Sequence, residues 1–305
     1  MENKEGTKNK NDAFDLRAFS GDVAIFSLGN ILLLVFGFIH TLIIPKYLSV
    51  EGYGYWQLFM LYGSYGGILH LGFIDGILVR WAGKKLPEIG SEIHIAFKFL
   101  LLELVGIIVP LSLFLYFLLD PPFRWIGLMI VAHAFVLDLV TFFRFTSQAI
   151  TKFKFLTTVN VSRGALFLIG VVILFISGYL NYYYVILTFL ISHIFALFIF
   201  ILWFRKYLWN ENPVISFSSL KSYGIRNIAI GVFVLLGNFI AALFLTLDRL
   251  MVNFFFSLEE FAIYAFALAI AMVAYTFVGT VSQVFFPYLS AFSLASKKSG
   301  DKIFS

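Results

Sequence analysis

The 305-residue chain has no cysteine, which excludes disulfides, Cys-ligated metal sites and thiol chemistry. Charge is scarce as well. Asp, Glu, Lys and Arg make up 13% of the residues against 61% hydrophobic ones, too little polar surface to clothe a water-soluble globule. No P-loop, nucleophile elbow or GxGxxG run is present. The five histidines, His40, His70, His94, His133 and His193, stand at no liganding spacing with one another or with carboxylates, so neither a metal nor a cofactor is expected. A net charge of +5 without a basic stripe interleaved with aromatics excludes nucleic acid as a partner.

What fills the chain instead is apolar segments: Asp22 to Ile44, Tyr53 to Val79, Phe99 to Leu119, Trp125 to Arg144, Gly164 to Leu180, Tyr183 to Phe204, Asn227 to Leu247 and Phe261 to Leu289. About 20 apolar residues at ~1.5 Å rise cross a ~30 Å hydrocarbon core. The chain therefore reads as an all-α polytopic membrane protein with eight transmembrane helices. The first segment has no Ala-x-Ala site after it and reads as a retained anchor. The 39 Phe and 15 Tyr, spread through the segments, read as lipid-facing bulk.

Basic residues sort by side. Residues 1–21, 80–98, 144–163 and 205–226 hold four Lys or Arg each and residues 290–305 hold three, whereas the opposite side holds only Lys46, Arg124 and Arg249. The positive-inside rule then places both termini in the cytoplasm. The outer connections, 45–52, 120–124, 181–182 and 248–260, are too short to fold into an extracytoplasmic enzyme site. Residues 205–226, with Asn210, Glu211, Asn212 and Pro213, read as a cytoplasmic linker between two membrane units.

The chain also matches itself at an offset of 208 residues. Leu28, Gly29 and Asn30 pair with Leu236, Gly237 and Asn238; Phe36, Leu42, Ser49 and Glu51 pair with Phe244, Leu250, Ser257 and Glu259. That period spans six helices, an even number, so the two units enter the membrane in the same sense. The expected organisation is a cytoplasmic tail (1–21), a six-helix lobe (22–204), the linker (205–226), the first two helices of a second lobe (227–289) and a cytoplasmic tail (290–305). The second unit stopping after two helices implies either a fragment of a protein of about twelve helices or a natural short form.

Pro45, Lys46, Tyr47, Leu48, Ser49, Val50, Glu51, Gly52, Tyr53 and Gly54, then Leu71, Gly72, Phe73, Ile74, Asp75 and Gly76 with Arg80, resemble the opening of Wzx-type polysaccharide and O-antigen flippases. Leu247, Asp248, Arg249, Leu250 and Met251, followed by Tyr264 and by Phe286, Pro287, Tyr288, Leu289 and Ser290, are similar to the seventh and eighth helices of the same proteins. These belong to the multidrug/oligosaccharidyl-lipid/polysaccharide exporter superfamily. The resemblance implies two six-helix lobes around a central cavity, here C-terminally truncated. It implies a non-enzymatic transporter in the cytoplasmic membrane that flips a polyprenyl-pyrophosphate-linked oligosaccharide by alternating access, with H+ or Na+ as the coupling ion. Its rivals are a cation-coupled multidrug antiporter of the same superfamily, a membrane-embedded glycan-assembly enzyme and a non-transporting scaffold.

Ionisable groups inside the hydrocarbon are costly and face protein or water. Asp138, about 13 residues into the fourth helix and flanked by His133 and Arg144, reads as the wall of a polar cavity or as a structural ion pair. Asn30 and its repeat partner Asn238 are candidate cavity-lining residues or interhelical hydrogen-bond partners. Glu103 and Asp75 are structural or functional, Glu103 lying shallow enough for interfacial solvation. Asp248 and Arg249 form a candidate gate or cap at an outer helix end. Arg144, Lys152, Lys154 and Arg163 could gather a pyrophosphate at the inner face or serve topology alone. Gly63 and Gly67, and Gly72 and Gly76, have the spacing that lets helices approach closely.

Overall fold

The computed structural model describes residues 16–209, 216–272 and 275, and all regular structure among them is helical. In chain order the helices are α1 (Leu16–Tyr47), α2 (Val50–Gly63), a 3₁₀ turn (Gly66–His70), α3 (Phe73–Trp81), α4 (Leu86–Leu118), α5 (Phe123–Ala149), α6 (Phe153–Ile176), α7 (Tyr182–Trp209), α8 (Phe217–Phe244) and α9 (Leu247–Phe255). A tenth, α10, covers 258–272. Six of them, α1 and α4 to α8, are long and apolar enough to cross a membrane.

The expected count of eight meets two departures. The second segment is broken into α2, the 3₁₀ turn and α3, where Leu71 (φ 47°) and Gly72 (φ 89°) adopt left-handed backbone. Glycines at 63, 66, 67 and 72 weaken a continuous helix by about 1 kcal/mol each relative to alanine. Packing decides the place of the break, because a Cβ on Gly72 would lie 2.7 Å from the backbone nitrogen of Val232 on α8. The eighth segment is described only as α10, and its remainder lies outside the described residues, as do residues 1–15, 290–305 and 210–215; the last six residues of the expected N-terminal tail, 16–21, are the start of α1.

The helices also run past the segments that hydropathy marks. α4 has 33 residues, with Pro87 in its first turn, where a missing N–H costs nothing. At 1.5 Å per residue it is about 50 Å long, well beyond the hydrocarbon thickness. Helix extension shrinks the inner connections to residues 82–85 and 150–152, so Arg144 and Arg163, counted with the loops from sequence, are helical. The expected outer loop 248–260 is likewise mostly helix, in α9 and the start of α10.

Two apolar cores hold the bundle. One packs Trp81, Phe142, Phe143, Phe200 and Phe204 from α3, α5 and α7; the other packs Trp56, Phe59, Phe167 and Phe261 from α2, α6 and α10. Aromatic residues therefore divide between uses. Phe143 stacks on Phe200 and Phe204, whereas Phe117, Phe233 and Phe244 are at least 78% exposed and face outward. In lipid, close packing and not burial from water drives such contacts. Glycine serves it where α1 crosses α6: Gly29 abuts Thr157, and Gly164 abuts Leu33.

The 208-residue repeat recurs as geometry. Leu48 N donates to Ile44 O at 3.1 Å and Phe256 N to Val252 O at 3.0 Å; Tyr53 N donates to Ser49 O at 2.8 Å and Phe261 N to Ser257 O at 2.9 Å. Ser49 Oγ accepts from Gly52 N at 3.0 Å, and Ser257 Oγ from Glu260 N at 3.2 Å. In the second copy Glu260 Oε2 accepts from Ser257 N at 3.0 Å, completing a capping box, and these Ser257 hydrogen bonds hold its carboxyl below the ordinary carboxylate range. Ser257→Ala removes this cap and is expected to cost about 1 kcal/mol. The check is the Tm of the purified protein in detergent, where an unshifted midpoint would refute the cap's contribution.

Candidate functional site

α5 presents two faces. His133, Leu137, Val140 and Arg144 follow one another at spacings of four, three and four, and together they line a cavity of about 340 Å³. α6 adds Asn160 and Arg163, α7 adds Phe189 and His193, and α2 adds Phe59 and Met60. Asp138 lies on the other side of the helix and is absent from the lining. The expected single wall of His133, Asp138 and Arg144 is thus divided, because five and six residues are not whole turns of a 3.6-residue helix.

The chemistry of this cavity is cationic. None of its lining residues is acidic. Among the described residues the ion pairs are His70–Asp75, Arg80–Glu92 and Arg124–Asp120, none of which involves Arg144 or Arg163. Arg144 and Arg163 lie near enough to act on each other electrostatically. His193 Nδ1 faces Phe189 O at 3.0 Å, and a carbonyl only accepts, so this nitrogen carries the proton. Nε2 is left to accept from Arg163 Nη1 at 3.2 Å. His133, 5% exposed, meets His193 edge-on at 4.8 Å between ring centres. Neither of its ring nitrogens has a hydrogen-bond partner, nor has Arg144 Nε. Two half-buried guanidiniums without carboxylates, beside the His133 imidazole whose nitrogens have no hydrogen-bond partner, form a site complementary to a multivalent oxyanion.

A second cavity, of about 690 Å³, adjoins the first across Leu33, Met60 and Ser64, which line both. It lies between α1 and α2 on one side and Arg249 and α10 on the other, so residues of both repeat copies enclose it. Its polar lining includes Asn30, His40, Thr41, Gln57 and Arg249, with Tyr53 and Trp56 as aromatic walls. Asn30 lines this cavity, whereas its repeat partner Asn238 is exposed on α8 and lines neither cavity. The repeat partners differ in their neighbours, for Gly29 packs on Thr157 while Gly237 has nothing within 4 Å of a Cβ.

Asp138 faces a different set. It is fully buried on α5, and Asp75 of α3 and Glu103 of α4 act on it electrostatically. Each of the three sits five or six residues from a cation on its own helix, about 8 Å at 1.5 Å rise, which puts them in one layer. Asp75 Oδ2 and both carboxyl oxygens of Glu103 and Asp138 lack hydrogen-bond partners. Glu103 is thus enclosed and not solvated at the interface, because α4 turns that face toward α5. His70 Nδ1 accepts from Gly72 N at 3.2 Å, and its Nε2 lies 3.8 Å from Asp75 Oδ2.

The expected pair at the outer helix end also separates. Asp248 Oδ2 accepts from Tyr264 OH at 2.6 Å and ties α9 to α10, whereas Arg249 turns into the larger cavity. Of the inner basic group, Arg144 and Arg163 enter the smaller cavity while Lys152 and Lys154 stay exposed. His193, Asn160, His40 and Gln57 went unnoticed as site residues in the sequence. His193 and His40 carried a signal, since each is a polar ring inside an apolar segment; Arg163 stood there only as one of four basic residues at the inner face.

Residues 20–293 match the family model described as "Polysaccharide biosynthesis protein". No curated protein and no solved structure matches the chain.

Proposed function

The chain belongs to the polysaccharide biosynthesis protein family, and on that premise we propose that this multi-pass membrane protein flips a polyprenyl-pyrophosphate-linked oligosaccharide from the cytoplasmic to the outer leaflet by alternating access. No bond is made or broken in this scheme. The observation that carries it is the pair of half-buried arginines, Arg144 and Arg163, with no ion pair among the described residues, in a cavity without acidic lining. A neutral or cationic drug offers such a site nothing, whereas a pyrophosphate offers acceptors for both guanidinium forks. The adjoining larger cavity, with Asn30, Gln57 and Thr41 beside Tyr53 and Trp56, has the mixture of amides, hydroxyl and rings that suits a sugar. Phosphate in the first and saccharide in the second is the arrangement these linings favour. Both termini lie in the cytoplasm in this reading, which the basic end of the bundle supports.

The carboxyl layer supports ion coupling. A carboxyl removed from water without a hydrogen-bond partner is tolerated as the neutral acid, so Glu103 and Asp138, with both oxygens unpartnered, suit a proton. A metal cation is less well served, since no three of the described His, Asp and Glu side chains are gathered closely enough to hold one.

The test is reconstitution of the full-length protein in liposomes with a fluorescent lipid-diphosphate-linked sugar. The expected result is transfer between leaflets that an imposed pH gradient accelerates. In Asp138→Asn the acceleration disappears while transfer without a gradient persists. Absence of transfer by the wild type sinks the flippase reading, and an undiminished gradient response in Asp138→Asn removes the carboxyl layer from coupling.

A further inference from the structure

The seam between α3 and α8 closes at the basic end of the bundle on a network that neither cavity nor carboxyl layer includes. Arg80 Nη1 donates to Asn227 Oδ1 and Nη2 to Glu92 Oε2, each at 2.9 Å. Glu92 Oε2 also accepts from Trp81 Nε1 and Tyr223 OH, each at 3.3 Å. The Arg80 guanidinium stands 5.2 Å from the centre of the Tyr223 ring, and Asn227 Nδ2 donates to Tyr223 O at 2.8 Å. One guanidinium thus joins α3 to α4 and both to α8, the helix that opens the second repeat copy.

Three features distinguish this network from a fixed part of the core. It lies on the rim, with the Arg80 and Glu92 side chains 20% and 28% exposed, so water can replace its hydrogen bonds when they part. Behind it the seam is backbone on backbone: a Cβ on Gly76 would lie 2.0 Å from Asn227 O, and one on Gly231 would lie 2.0 Å from Gly72 O. Such a contact has no interdigitated side chains to unthread. Finally, α8 buries a single narrow stripe, Leu220, Gly224, Asn227, Gly231 and Leu235, and the network holds its middle residue, Asn227, between the Leu220 and Leu235 ends. Away from the network, the chain just beyond α8 is tied by Thr246 with Tyr65, and α9 is tied to α2 by Asn253 donating to Tyr62 at 2.8 Å.

We propose that the network of Arg80, Glu92, Tyr223 and Asn227 is a latch that holds α8 against the first six-helix unit, and that its release opens the basic end of the seam. The role of this opening rests on the alternating-access reading, but the latch itself is testable without transport. When the guanidinium leaves Glu92 and Asn227, α8 peels from α3 at the rim while the ties of Thr246 to Tyr65 and of Asn253 to Tyr62, beyond its far end, persist. Lysine is a poor substitute, because a single ammonium cannot address both partners with the fork geometry of arginine.

A chain without cysteine provides the assay. Leu220→Cys places one thiol on the α8 stripe, 4% exposed in the latched state, and Val171→Cys places one in the second core, fully buried. Labelling by a membrane-impermeant maleimide is timed in the purified full-length protein. Arg80→Ala is expected to raise the rate at Leu220→Cys about tenfold, the scale of one lost charge-assisted hydrogen bond, with Arg80→Lys in between and Val171→Cys unchanged. Leu235→Cys, 8% exposed and farther along the stripe, is a second reporter that responds less and replaces the first if it does not fold. An unchanged rate on the stripe overturns the latch. So does an equal rise at Val171→Cys, which makes Arg80 an ordinary stabilising residue. Failure of the wild type to flip lipid-linked sugar overturns the functional reading and leaves the labelling result standing.

Discussion

Replacing Arg144 and Arg163 together by glutamine is expected to slow flipping of a lipid-diphosphate-linked sugar by about a hundredfold, and each alone by about tenfold. A charge-assisted hydrogen bond contributes roughly 1.5–3 kcal/mol, and 1.4 kcal/mol is a factor of ten. Glutamine retains a donor but is shorter and lacks the charge and the fork. The two sites share one small cavity, so their losses need not add, and the double variant measures the coupling. Lys152→Gln with Lys154→Gln removes as much charge from the same end of the bundle but leaves the cavity intact, since both lysines are exposed. If recruitment by bulk positive charge were the mechanism, this control would slow transfer as much as the arginine pair does. Equal effects would therefore reject the cavity as the phosphate site, and no effect in the double arginine variant would do so more directly.

Gly76→Val is expected to undo the α3–α8 seam and give the largest loss of folded protein of any single substitution here. The new Cβ would meet the carbonyl of Asn227 at 2.0 Å, and the obstacle is backbone, which cannot rotate away as a side chain can. Overpacking in a well-packed interior costs about 1–3 kcal/mol or more, and here relief requires moving α8 as a body. The measurable outcome is a lowered Tm and a smaller monodisperse fraction in detergent. Gly67→Ala is the control, because a Cβ there has nothing within 4 Å. Gly63 and Gly67 share the four-residue spacing of Gly72 and Gly76, yet only the second pair meets a helix backbone, so the two substitutions separate spacing from contact. A wild-type melting profile for Gly76→Val would show that α8 does not pack this way.

Much of this was legible in the sequence for reasons that are local. Transfer of about 20 consecutive apolar residues to lipid depends on composition and order alone, and six of the eight expected segments are helices long and apolar enough to cross a membrane. The Ser49 and Ser257 caps follow from a side chain three residues from the amide it accepts, so the repeat in sequence reappears as a repeat in hydrogen bonds. Arithmetic within one helix went further than it was taken: the turn of α5 already separates Asp138 from His133 and Arg144.

The remainder depended on which helices meet. Hydropathy could not break the second segment, because the left-handed backbone at Leu71 and Gly72 answers to α8, more than 150 residues away in sequence. Nor could it tell Arg144 and Arg163 from Lys152 and Lys154, since a topological charge and a cavity charge are the same residue until a neighbouring helix encloses one of them. The sequence by itself determined the long apolar helices of this protein, since transfer to a bilayer depends on local composition. Only the tertiary structure decided that Arg144 and Arg163 line one cavity, that Asp75, Glu103 and Asp138 form a separate layer and that Arg80 joins α3 and α4 to α8, because the cost of an enclosed charge is set by the partners brought to it.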